Sequence, residues 1–272
     1  MSDKEFLDIV AKELFAKENL TEAEIEIRAY EKVKSMRQIL PNKYFHYKNM
    51  DKKIIFMAGS PGAGKSETAQ LILRERFKID IIDIDEIRKE LSEDGGKNAH
   101  LYQKASSKGV SILIDYAFKN GFSFILDGNF AEYDVQKKNI DRAIKHGYEI
   151  EIVFVSRAID DAQRFTKIRE EKSGRRVPDN VFIEKSIGAI GTVGKFIGDV
   201  RVDFYDLERG EIKKDISKEE FDSLTSNNFN ILCSMLEVQK LLNWNGLDDK
   251  QREDAVRALA DGESVSSCDV SL

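Results

Sequence analysis

Gly59-Ser60-Pro61-Gly62-Ala63-Gly64-Lys65-Ser66 has the spacing G-x-x-x-x-G-K-[ST], the form of a phosphate-binding loop. Glycines let successive backbone N–H groups turn inward around a phosphate chain, and a helix that starts directly after them points its positive end at the same anion. In that arrangement Lys65 reaches the outer phosphates, the Ser66 hydroxyl is a ligand for Mg²⁺, and Glu67 opens the helix beside them. So short a pattern also arises by chance, and its flanks decide its meaning. Residues 53–58, Lys-Ile-Ile-Phe-Met-Ala, form an apolar run suited to a buried strand. Residues 67–77 carry Ala69, Leu71, Ile72 and Leu73 among good helix formers. Strand, loop and helix therefore follow in the required order.

Working outward, short apolar runs alternate with helical stretches from about residue 51 to 206, which predicts an α/β fold with a mostly parallel sheet and helices on both faces. The further strand candidates are residues 80–84, 122–126, 150–155 and 200–205. Right-handed crossovers place their carboxyl ends on the edge that holds the loop, and that edge is where function is expected. A Glu208-Arg209-Gly210 turn with Glu211-Ile212-Lys213 predicts a hairpin after the last of them. Four segments result: an N-terminal helical segment over 1–50, a core over 51–215, C-terminal helices over 216–260 and a polar, disordered tail over 261–272.

In the first segment, Phe6, Leu7, Val10, Ala11, Leu14 and Phe15 make an apolar stripe after a possible Ser2/Glu5 capping box. A second box, Thr21 with Glu24, precedes Ile27, Tyr30, Val33, Met36 and Leu40, and Pro41 is expected to end that helix. Near the other terminus, Ile231, Met235, Val238 and Leu242 share a helical face, Trp244 follows, and a further helix is expected over 248–259.

Three constellations lie on the expected functional edge. Residues 82–88 read Ile-Asp-Ile-Asp-Glu-Ile-Arg, with Asp83 and Asp85 on one side of the strand period. A carboxylate there can orient an attacking alcohol and accept its proton; the plainer alternative is that one of the two caps the following helix. Leu126-Asp127-Gly128-Asn129 ends the next strand in a Walker-B-type position, where Asp127 acts on Mg²⁺ or on a substrate hydroxyl and Asn129 offers donor and acceptor. The same residues are also common in purely local turns. Arg164 and Arg169 precede Gly174, Arg175 and Arg176, a hinged arginine-bearing segment able to meet transferring phosphate charge; solvated surface is the alternative.

The formal charge of −6 disfavours a general nucleic-acid binder. Cys233 and Cys268 are the two cysteines, and His46, His100 and His146 lie far apart, so neither a disulfide framework nor a zinc site is indicated. No apolar run approaches the roughly 18 residues of a membrane span, and the mixed charge of the first residues does not resemble a signal peptide, which predicts a cytoplasmic protein.

In order and type, these motifs resemble the zeta toxins over about residues 53–206. The resemblance implies a P-loop kinase that uses ATP and Mg²⁺ to phosphorylate the 3′-hydroxyl of UDP-N-acetylglucosamine. It makes Lys65 and Ser66 the phosphate-loop pair, Asp85 the base that activates the sugar hydroxyl, and Arg164 with Arg175 or Arg176 the arginines on the ATP phosphates. Asp83, Asp85, Asp127 and Asn129 then form the acceptor side, with Ser66 and Asp127 as metal ligands. Where the family commonly carries Glu-Gly-Thr, this chain has Asp127-Gly128-Asn129, one methylene shorter and with an amide in place of the hydroxyl. Other acceptors with the same chemistry are a nucleotide, an antibiotic hydroxyl or a nucleic-acid 5′-hydroxyl; an ATP-dependent switch is the non-enzymatic alternative. The implied partner is an antitoxin protein, or a restraint built into the first 50 residues.

Overall fold

The computed structural model describes residues 21–92, 98–173 and 176–242. The expected helix over 6–15, Trp244, the helix over 248–259, the tail and Cys268 lie outside them.

β1 (Lys53–Ala58), the strand from which the loop hangs, is buried at five of its six residues. Its alternation explains why: Ile54, Phe56 and Ala58 join the larger apolar cluster, while Ile55 and Met57 join a second cluster on the opposite face. β1 pairs in parallel with β3 (Phe124–Asp127) on one side and β4 (Glu149–Ser156) on the other. β2 (Asp80–Asp83) extends the sheet beyond β3, and β5 (Arg201–Asp206) extends it beyond β4. The antiparallel β6 (Glu211–Lys213) completes the order β2-β3-β1-β4-β5-β6 and forms the expected hairpin with β5.

Ahead of the sheet, α1 (Glu22–Ser35) starts with the predicted box: Thr21 N–H donates to Glu24 Oε2 at 2.8 Å, and Glu24 N–H donates to Thr21 Oγ1 at 3.4 Å. The apolar face is displaced from the expected one. Ala29 and Val33 are buried, whereas Ile27 is 60% exposed. Nor does Pro41 end the helical segment. It occupies the first turn of the short α2 (Leu40–Tyr44), where a residue without an N–H costs no helical hydrogen bond. Tyr47 and Lys48 N–H groups then donate to the buried carboxylate of Asp80 at 3.0 and 3.3 Å, tying this segment to β2.

The helix after the loop also departs from a uniform expectation. α3 (Lys65–Thr68) passes into a π-helical stretch (Ala69–Arg74) and a last turn, α4 (Glu75–Phe77). Ala69 and Leu73 face the sheet, and Leu71, on the opposite side of the helix, is 76% exposed. The remaining helices are α5 (Ile84–Leu91), α6 (Gln103–Asn120), α7 (Tyr133–Lys145), α8 (Ile159–Ser173), α9 (Asp179–Phe196) and α10 (Lys218–Leu242). Among the described residues, no helix is long and apolar enough to cross a membrane.

Candidate active site

The loop leaves the carboxyl end of β1 with Gly59, Gly62 and Gly64 all at positive φ. Gly62 is the most constrained: at φ +77°, a Cβ there would lie 2.1 Å from the carbonyl oxygen of Ala162 in α8. Backbone cannot yield as a side-chain tip does. Gly62→Ala is therefore expected to cost about 2 kcal/mol or more in stability and to weaken ATP binding at least about tenfold, as measured by thermal melts and isothermal titration. Lys65 Nζ lies over the loop, donating to the carbonyls of Gly59 at 3.0 Å and Ser60 at 2.7 Å.

β3 delivers Asp127 beside the loop, where its carboxylate accepts a hydrogen bond from Ser66. Burial pushes the Asp127 carboxyl up from its ordinary value, while that hydrogen bond and the Lys65 ammonium pull it down and Glu67 and Glu86 add to the rise. A serine hydroxyl and a carboxylate are hard oxygen donors, which suits Mg²⁺, and a cation there would relieve the cost of the buried charge. Because the folded carboxyl titrates above its unfolded value, ionised Asp127 destabilises the fold above the ordinary carboxylate range; below about pH 4 the effect is absent. Asp127→Asn is thus expected to raise the melting temperature at pH 8, by about 2–4 °C per kcal/mol recovered, while abolishing phosphoryl transfer. The stabilisation should fade as the melts are repeated toward about pH 4.

Asp83 pairs in register with Asp127 across β2 and β3, bringing the second acidic turn next to the first. Its side chain accepts from the Asp85 N–H at 2.7 Å, so Asp83 is the helix cap of α5. Asp85, one step further out, is partly exposed and bonded to Arg88. Asn129 is used locally: its carbonyl accepts from Gly59 N–H at 3.3 Å and its side chain accepts from Ala131 N–H at 3.4 Å. The next residue, Phe130, is buried at φ +59°, a strained conformation for a phenylalanine, held by edge contacts with Phe56 and Phe196. A Cβ on Gly128 would meet nothing within 4 Å, so this turn faces open space.

The edge thus gathers Lys65, Ser66, Asp127, Asp83 and Asp85. Arg164 stands apart, 65% exposed and bonded to Asp161 at 2.7 Å. Arg176 is exposed in the connection before α9, and Arg175 lies outside the described residues.

Two basic residues not anticipated from the sequence do reach the edge. Arg157, the first residue after β4, stacks on Phe165 at 4.4 Å and brings Nη2 within 3.5 Å of the Cβ position of Gly64; its Nε is buried without a hydrogen-bond partner. Asn228 of α10 donates to its carbonyl at 3.0 Å, so the C-terminal helix secures this side of the loop. Arg88 is the other. Position alone was the available signal: Arg157 directly follows a strand that ends beside the loop, and Arg88 stands three residues after Asp85 on one helix.

A central strand running into a three-glycine phosphate loop, with a serine–aspartate pair from the neighbouring strand, defines a phosphotransferase of the P-loop kinase class. The family model for zeta toxin matches residues 36–205, and the chain belongs to the zeta toxin family. Among solved structures, one described as the PezAT chromosomal toxin–antitoxin system of Streptococcus pneumoniae shares the fold at 16% identity and TM-score 0.56, covering 88% of this chain and 97% of that one. A chain of the AvrRxo1-ORF1:AvrRxo1-ORF2 assembly with sulphate ions matches at 12% identity and TM-score 0.53, covering 87% and 84%. The same assembly with ATP matches at 13% identity and TM-score 0.52, covering 88% and 83%. No curated protein matches the chain.

Proposed function

We propose that the protein is a cytoplasmic kinase that transfers the γ-phosphoryl group of ATP to a hydroxyl of UDP-N-acetylglucosamine. The observation that carries this reading is the juxtaposition across β2 and β3: the Ser66–Asp127 pair on the phosphate side, and the Asp83–Asp85 turn one strand further out. A nucleotide switch has use for the first pair; the second turn is what an acceptor hydroxyl requires.

In the reaction, the acceptor oxygen bonds to the γ-phosphorus as the bond from that phosphorus to the β,γ-bridging oxygen breaks. The electron pair leaves with ADP, and the hydroxyl proton passes to the Asp85 carboxylate. Lys65 moves from the loop carbonyls to the phosphate oxygens, and Arg157 adds a cation beside Gly64. Ser66 and Asp127 would hold Mg²⁺, whose charge would neutralise the phosphates. Arg164 and Arg176, both exposed in this structure, join only if they move toward the nucleotide. The PezAT structure is described as a toxin–antitoxin system, and by that likeness an antitoxin is the protein partner proposed here.

The test is ADP release with ATP and Mg²⁺ alone and then with a panel of hydroxyl acceptors: UDP-N-acetylglucosamine, nucleosides, an aminoglycoside and a 5′-hydroxyl oligonucleotide. Stimulation by the sugar nucleotide above all others is expected. Tight ATP binding with no stimulation by any acceptor would replace the kinase with a nucleotide-dependent switch.

A further inference from the structure

Arg88 is a cation that the phosphate loop does not explain. It is 9% exposed, its Nη1 donates to Asp85 Oδ1 at 2.6 Å, and its Nη2 donates to Gln103 Oε1 at 2.7 Å. Ion pairs three residues apart on a helix surface are weak and loosely held, whereas a buried guanidinium is tolerated only with close partners. Helix packing puts this one in place. A Cβ on Gly109 of α6 would lie 2.8 Å from Ile87 Cγ2 and 3.2 Å from Val33 Cγ2, so the glycine lets α6 close on α5 and α1, bringing Gln103 alongside Arg88.

We propose that Arg88 is a positioning residue, which fixes the Asp85 carboxylate toward the acceptor while Gln103 holds the guanidinium. The inference rests on the reading of Asp85 as the group that receives the acceptor's proton. A carboxylate bonded to a buried guanidinium is a weak base that stays ionised and in one orientation; it suits a transition state in which bond breaking to ADP leads and the proton leaves late.

Other charged groups pack around the pair, and the Lys65 ammonium acts on Asp127 one strand away. Asp83 caps the helix, Glu86 and Glu90 lie along it, Tyr44 of α2 faces all three, and Asp127 of β3 is near Glu86. Two lysines reach the far end of α5: Lys32 of α1 on the Glu90 and Leu91 carbonyls, and Lys43 of α2 on the Glu90 carboxylate. Lys104, beside Gln103, pairs with Glu26.

The experiment is a carboxyl-carbon NMR titration of Asp85 in the full chain without nucleotide, assigned with Asp85→Asn. The parent midpoint is expected below the ordinary aspartate value of about 3.9. Arg88→Met, which keeps the apolar stem and removes the charge, should raise it by about one unit or more, and Arg88→Lys should restore part of the difference. In turnover, Arg88→Met should lower kcat by about tenfold or more with the KM for ATP within about twofold. An unchanged midpoint in Arg88→Met overturns the proposal whatever the activity. Failure of every acceptor with the parent protein overturns the kinase reading instead and leaves the titration result standing. If Arg88→Met does not fold, Gln103→Leu at its exposed position decides: an upward shift supports the proposal and an unmoved midpoint overturns it.

Discussion

Lys65→Ala is expected to lower ATP-dependent phosphoryl transfer by at least about a hundredfold while the melting temperature stays close to that of the parent. The two expectations separate because of where the ammonium lies. In the structure the ammonium donates to the loop carbonyls of Gly59 and Ser60, part-buried hydrogen bonds to neutral groups and of ordinary strength. In the transition state the same ammonium meets charge spread over the γ-phosphoryl oxygens inside a loop of N–H groups, where a fixed cation is worth far more than water. ADP release and thermal melts on the same preparation check both. A normal rate in a folded Lys65→Ala variant would remove the lysine from the chemistry.

Asp85→Asn is the second large effect, and its pattern is different. ATP affinity should hold within about threefold, since the residue belongs to the first turn of α5 rather than to the loop, while kcat falls at least about a hundredfold. Some stability should be lost as well, because Arg88 keeps a hydrogen-bond acceptor but loses its carboxylate charge. Asp83→Asn provides the contrast. Its role is the cap on the Asp85 N–H, which an amide oxygen also fills, so a modest change in both rate and stability is expected.

What was legible in the sequence follows the range of the forces involved. The strand–loop–helix around Gly59 to Ser66, the Thr21–Glu24 box and the β5–β6 hairpin are written in local terms: φ permission, capping hydrogen bonds and alternation over a few residues. The same local signal at Ser217 and Glu220, which exchange hydrogen bonds at 3.2 and 3.3 Å, was readable and marks where α10 begins, well before the apolar face at Ile231. Pro41 was misjudged because proline both stops one helix and starts another, and only the chain's continuation tells which. Arg157 and Arg88 needed more. Arg157 meets Gly64 only because β4 lies next to β1, and the burial of Arg88 depends on a glycine 21 positions away that admits α6. Such contacts belong to the sheet order and to helix packing, which no window of sequence contains. For the arginine-bearing segment, the alternation of charge and glycine was visible, yet Arg164 rests on Asp161 at the surface.

The measurement that tests the central claim most directly is mass spectrometry of UDP-N-acetylglucosamine incubated with the full chain, ATP and Mg²⁺, with Lys65→Ala as control. The account predicts a gain of one phosphoryl group on the sugar nucleotide that is absent from the control. An unmodified sugar nucleotide, under conditions where the protein binds ATP or phosphorylates another acceptor, would contradict it.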